Sequence, residues 1–450
     1  MNESRNGSER RAEKKLGVWT CTALVVGNMI GSGVFLLPAS LAPFGGLSLV
    51  GWAVTAAGSL MLALVFARLA ERIPNAGGPY AYTRAGFGEF AGFWIAWGYW
   101  IALWTGNAAI ASAFASYLTV FFPSLRDRPL VCGLAAVAAV WTMTWINCRG
   151  IRSAGTVQLL TTIAKLVPLV AVATVGLLWI DGRNFVPLNP SGQSTFQAVS
   201  QVATLTLWSF LGLESATVPA GEVEHPRRTI PLATVLGTGI ASVVYILSTA
   251  AVIGAVPRET LANSTAPFAD AASAMWGGWA YYAVGVGAMV SCLGALNGWT
   301  LLQGRIPMAA ARDGMFPARF GKLSARGVPA FAIVSSSVLM TAVLMLHYSG
   351  TQRLTQVFQT IILLATFCNL LAYAFCALCP FVLPGEVDRA ESSRRRRVHA
   401  VLAGLSFCYA GWTVYGAGAE TVFQGFLLLL AGLPVFAWLK RERGKKISGA

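Results

Sequence analysis

The sequence predicts an all-α membrane protein of twelve transmembrane helices, and three observations lead there. The 450-residue chain is 56% hydrophobic and only 11% charged. An ordinary soluble domain carries about 25% charge, so most of this surface does not face water. The apolar residues fall in runs of roughly 20, the length a helix needs to cross a bilayer. These runs are too long and too continuous for barrel strands, which alternate over about 10 residues. The basic residues crowd into every second gap between runs, the asymmetry that orients membrane helices.

The spans fall in order at residues 16–42, 47–70, 86–119, 129–148, 155–180, 199–222, 229–256, 278–309, 328–347, 354–380, 397–416 and 420–440. Turn-forming residues punctuate the gaps: Pro43 to Gly46, Pro123 to Pro129, Asp181 to Pro190, Pro257 and Gly350. With the N-terminus placed in the cytoplasm, the outer gaps keep only Arg126, Arg128, Arg183, Arg258 and Arg353 of the 33 basic residues. Lys165 lies inside span 5, and every other Lys and Arg lies on the cytoplasmic side, as the positive-inside rule requires. One miscounted span would scramble that separation. The run Arg394 to Arg397 reads first as a topology anchor and second as a contact for anionic lipid.

The same distribution decides what the net charge of +15 means. Basic residues confined to short gaps do not form a nucleic-acid patch, so no nucleic-acid partner is expected. The first fifteen residues are polar and basic, and the run behind them is too long for the apolar region of a cleavable signal peptide. The eight cysteines lie in or beside apolar runs without metal-ligand spacing, and read as small buried residues. His225, His347 and His399 all read as loop residues, with no zinc-protease motif and no nucleophile paired to a base. An enzyme is therefore not expected, and neither a metal nor a cofactor is called for.

Two spans carry breaks. Span 1 reads Gly27-Asn28-Met29-Ile30-Gly31-Ser32-Gly33-Val34-Phe35. Glycines in mid-helix weaken it by about 1 kcal/mol each, and a break there frees peptide groups that hydrocarbon cannot satisfy. A half-helix beginning near Ser32 would offer unpaired N–H groups and a positive dipole end, which suits a carboxylate. Close helix packing through small residues is the competing explanation of the glycines. Span 6 repeats the pattern in Thr206-Leu207-Trp208-Ser209-Phe210-Leu211-Gly212-Leu213-Glu214-Ser215, five spans later. Interrupted helices at corresponding places of two halves point to an inverted-repeat transporter. The division is then a cytoplasmic tail at 1–15, one five-helix repeat at 16–190, a second at 191–380, two appended helices at 381–440 and a tail at 441–450.

The strings Gly27 to Phe35, Pro74-Asn75-Ala76-Gly77-Gly78-Pro79-Tyr80-Ala81-Tyr82, Gly212 to Ala216 and Pro226-Arg227-Arg228-Thr229-Ile230-Pro231 carry a resemblance. By them the chain is identified as a member of the amino acid–polyamine–organocation superfamily, and within it most resembles the bacterial arginine/agmatine exchangers. The resemblance implies a LeuT-like 5+5 fold and secondary active transport of an amino acid or amine across a bacterial inner membrane. It implies multiple membrane passes with both termini cytoplasmic, and includes a homodimer among the expected assemblies. It also implies roles. Gly31, Ser32 and Gly33 would hold the substrate carboxylate, and carbonyls of Met29, Trp208 and Leu211 the α-amino group. Asn107 and Trp299 would hold the distal cation, with Ala102 and Ser209 beside them. Trp208 and Tyr99 would gate, Tyr80 would stand near the cytoplasmic closure, and Glu214 would serve gating and proton sensitivity.

Lys165 and three apolar residues depart from that pattern. A lysine about ten residues into a span costs several kcal/mol, which marks it as functional; a structural clamp on backbone carbonyls is the other reading. It resembles the lysine of proton-coupled, sodium-independent members, and is expected to face the Gly31 region. In an ungapped alignment, Leu363, Ala295 and Leu371 replace two serines and a tyrosine. A guanidinium has five donors to satisfy. Two functions therefore stay open: exchange of a cationic amino acid for its amine, or proton-linked transport of a smaller, more apolar amino acid.

Overall fold

The computed structural model describes residues 16–73, 78–150, 161, 165–217, 223–350, 353–383 and 392–448. The chain is almost wholly helical, and its one extended pairing among the described residues joins Leu16 to Val223. Helices close their own backbone hydrogen bonds, which is what lipid demands of a spanning segment.

Span 1 forms as two pieces, α1 (Val18–Met29) and α2 (Ser32–Leu41). Span 2 is α3 (Leu47–Arg72), span 3 is α4 (Pro79–Leu118) and span 4 is α5 (Pro129–Arg149). The described part of span 5 is α6 (Lys165–Trp179), which tightens to a 3₁₀ turn over Val175–Trp179. Span 6 contributes α7 (Thr195–Leu207), opened by the Ser194 hydroxyl accepting from the Gln197 N–H at 3.3 Å. Span 7 is α8 (Pro226–Ala255); α9 (Arg258–Ala262) and α10 (Pro267–Trp276) follow as short helices. Spans 8 to 11 are α11 (Gly278–Arg312), α12 (Ala330–Tyr348), α13 (Leu354–Val382) and α14 (Ser393–Gly416). Span 12 divides into α15 (Ala419–Leu430) and α16 (Gly432–Ser448).

Among the described residues, nine helices are long and apolar enough to cross a membrane, and the bent α1–α2 pair makes a tenth span. Spans 5 and 6 fall outside that test because residues 151–160, 162–164 and 218–222 are not described and because α7 stops early. The packing centre is α4, which lies along α13 and α11, while α3 runs along α8 and α1 also leans on α8. Buried aromatic side chains, including Trp52, Phe66, Phe210, Tyr245 and Tyr373, fill the joints between these helices.

Several expectations need correction. Span 3 starts at Pro79 rather than 86, so Tyr80 to Tyr82 are helical; Gly88 at φ +85° bends the helix there. Only glycine adopts that conformation without strain. Residues 74–77 of the resemblance string lie outside the described residues. His347 and His399 lie inside helices. All eight cysteines are free, but Cys408 is exposed rather than buried, on the outward face of α14. Among the described residues no histidine, cysteine and carboxylate group could hold a metal.

Candidate functional site

The first break is a local consequence of glycine at 31. Ile30 is extended (φ −75°, ψ 98°), Gly31 takes φ −137°, ψ −132°, and the two pieces meet at 40°. The second break follows Leu207. Trp208 to Phe210 wind as a 3₁₀ turn, Leu211 is extended and Gly212 has φ +102°. A Cβ on Gly212 would also stand 2.9 Å from Trp299 Cζ2, so glycine is required on both counts.

The two breaks face one cavity. Its walls include Asn28, Met29, Gly31, Ser32 and Gly33 from span 1, Trp208, Ser209 and Leu211 from span 6, and Tyr99, Ala102, Gly106 and Asn107 from α4. Trp299 of α11 and Asn369 of α13 complete it. Ten of these were expected to bind substrate: Met29, Gly31, Ser32, Gly33, Ala102, Asn107, Trp208, Ser209, Leu211 and Trp299. Among the described residues, no charged side chain lines the cavity. A charged ligand there must be met by peptide groups and neutral polar atoms.

The peptide groups of the first break are nearly all assigned. The Lys165 ammonium donates to the Gly27 carbonyl at 2.5 Å and to the Ile30 carbonyl at 2.6 Å. Trp299 Nε1 donates to the Asn28 carbonyl at 3.1 Å, and Ser291 Oγ reaches the Gly31 carbonyl at 3.5 Å. Met29 itself lies on the cavity wall. Lys165 thus sits at the C-terminal end of α1, where the helix dipole favours a cation. It stands behind the cavity wall rather than in it.

Polar atoms without partners converge on the same space. Ser32 Oγ, Ser209 Oγ, Asn107 Oδ1 and Asn369 Oδ1 are buried and unpaired. Buried polar groups are ordinarily satisfied, so these atoms offer a polar ligand its partners. The Trp208 indole fills the slot between Gly33 and Gly106. A Cβ on Gly33 would lie 2.5 Å from Ser209 Oγ and 2.9 Å from Trp208 Cδ1; one on Gly106 would lie 3.0 Å from Trp208 Cη2.

Glu214 is fully buried and does not reach the cavity wall. Its Oε1 accepts from the Tyr99 hydroxyl at 2.5 Å; its Oε2 accepts from the Tyr373 hydroxyl at 2.6 Å and from the Gly212 N–H at 3.2 Å. This carboxylate therefore ties α4 and α13 to the second break. Tyr80 lies elsewhere, donating to Asp313 at 3.4 Å beside the Arg84–Asp313 pair at 3.3 Å. That cluster joins the start of α4 to the end of α11.

Sequence reasoning missed Asn369, Ser291 and Tyr373. Span 10 carries a tyrosine two residues beyond Leu371: Tyr373, whose hydroxyl donates to Glu214. Leu363 and Leu371 are only half-buried and do not line the cavity, so they say nothing about substrate polarity. Ala295 does lie close by, 3.0 Å from where a Cβ on Gly31 would stand.

The chain matches the amino acid permease family over residues 16–437. It is 36% identical over 444 residues to a cadaverine/lysine antiporter of Escherichia coli K12, covering 96% of each chain. It is 33% identical to an arginine/ornithine antiporter of Pseudomonas aeruginosa, covering 97% of this chain and 93% of that one. A putrescine transporter of Haemophilus influenzae is 32% identical over 94% of this chain and 97% of its own. With the family match running through both breaks and the cavity between them, the chain belongs to the amino acid permease family, multi-pass membrane transporters of the amino acid–polyamine–organocation superfamily and not enzymes.

Proposed function

We propose that the chain exchanges a basic amino acid for a straight-chain diamine or related amine across a bacterial inner membrane, with both termini cytoplasmic. The observation that carries this reading is the cavity itself: two interrupted helices face it, unpaired polar atoms line it and, among the described residues, no charged side chain enters it. The substrate carboxylate lies at the start of α2, on the N–H groups and hydroxyl of Ser32 and the N–H of Gly33, with Ser209 Oγ nearby. The α-amino group donates to the Met29 carbonyl. The distal ammonium lies over Trp299, a contact worth roughly 1–2 kcal/mol when dry, and donates to Asn107 and Asn369. Trp208 covers the site as a lid, and the Tyr99–Glu214–Tyr373 cluster gates its other side.

The relatives are named for cadaverine and lysine, for arginine and ornithine, and for putrescine, so these substrates belong in the test beside the arginine/agmatine pair. Proton-linked transport of a smaller or more apolar amino acid, the alternative, rests on Lys165 and Ala295, since Leu363 and Leu371 lie off the cavity. In proteoliposomes preloaded with cadaverine, putrescine or agmatine, labelled lysine, ornithine or arginine should accumulate at least about tenfold over empty vesicles. Equal uptake into empty vesicles would exclude exchange. Exchange of leucine or alanine alone would exclude the cationic substrate.

A further inference from the structure

Asn107 and Gln303 are both fully buried, on α4 and α11. Asn107 Nδ2 donates to Gln303 Oε1 at 2.6 Å. Asn107 Oδ1 and Gln303 Nε2 are left without partners. Asn107 lines the cavity and Gln303 does not. A primary amide has an acceptor end and a donor end of nearly equal shape. Which end an asparagine presents to a ligand is therefore set by whatever holds the other end.

We infer that Gln303 is a positioning residue for charge selection: by accepting from Asn107 Nδ2 it presents Asn107 Oδ1 to the cavity, so that the site takes a substrate whose far end is an ammonium. This rests on the proposed cationic substrate and deepens it. Asn369 Oδ1, on α13, is a second unpaired acceptor lining the same cavity. An ammonium brings three donors and no acceptor, and matches both. A substrate ending in a methyl group would leave these buried oxygens unpaired, and sites built around a polar partner reject analogues lacking it strongly. With its holder removed, the Asn107 amide is free to turn, and the donor end that would then face the cavity repels an ammonium.

The test compares lysine with norleucine, its neutral analogue, by titration against the purified full-length protein in detergent. The wild type should prefer lysine by at least about tenfold. Gln303→Met, which keeps the length and removes the acceptor, should cut that preference several-fold, chiefly through weaker lysine binding. Asn107→Ala should cut it as well, and Gln303→Met added to Asn107→Ala should cut it no further. Gln303→Glu, whose carboxylate still accepts from Nδ2, should retain the preference, and it supplies the answer if the methionine variant does not fold. An unchanged lysine-to-norleucine ratio in folded Gln303→Met would overturn the inference. So would an equal further loss in the Asn107→Ala background, or a lost preference in folded Gln303→Glu. A wild type that binds lysine and cadaverine no better than norleucine would instead overturn the cationic-substrate reading beneath it.

Discussion

Lys165 shows how one side chain substitutes for helix continuity. Its ammonium meets two carbonyls that the break in span 1 releases, at Gly27 and Ile30. Lys165→Ala would leave both without a donor in a dry interior, at a cost of about 1–3 kcal/mol for each group. We expect a melting temperature lower by several degrees in detergent, with slower counterflow. An unchanged pH profile of counterflow in that variant would mark Lys165 as a clamp; a flattened profile would mark it as a proton site. Unchanged stability would contradict the clamp. The residue was legible from sequence because a lysine deep in an apolar run is conspicuous. Gly31 and Gly33 were legible because glycines in mid-span mark a break, whereas Trp208 and Trp299 were reached through the family resemblance. Asn369, Ser291 and Gln303 were not. Each is one polar residue in a long helix, and whether it faces the cavity, another helix or lipid depends on rotation about an axis that an ungapped alignment does not fix.

At the level of elements, both breaks were readable because glycine marks them, whereas helix ends were less so. The segment from Pro79 looks like a loop in sequence but continues into α4 across Gly88. The connection after α8, marked in sequence only by the turn-forming Pro257, forms two helices, of which α10 packs against α8, α11 and α2. There the Asp270 carboxylate accepts from the Ser264 hydroxyl. Burial pushes its carboxyl above the usual range, against the opposing pull of that hydrogen bond and of Arg126. A raised carboxyl holds its proton more tightly folded than unfolded, so its contribution to stability is present at low pH and is lost as pH rises through the raised value. Asp270→Asn removes that titration. The melting temperature of the wild type should therefore fall relative to the variant between about pH 4 and neutrality. A constant difference across that range would show that the group is not responsible.

For the whole molecule, the distribution of basic residues fixes an expected orientation. The outer gaps are nearly empty of them, while Arg394 to Arg397 and the residues from Lys440 onward lie in alternate positions. A fluorescent protein fused at the C-terminus should fold and fluoresce in the cytoplasm, and an alkaline phosphatase fused there should be inactive. The opposite pair of results would invert the map. Sequence alone determined that the chain is a helical membrane protein and that its first and sixth spans are interrupted. Both follow from hydrophobicity and from glycine, which act over a few neighbouring residues. Tertiary structure alone decided which atoms face the cavity: the unpaired oxygens of Asn107 and Asn369, the tyrosines on Glu214, and the exclusion of Leu363 and Leu371. Those depend on how α4, α11 and α13 are rotated against one another, and rotation is set by packing across the whole bundle rather than by any one segment.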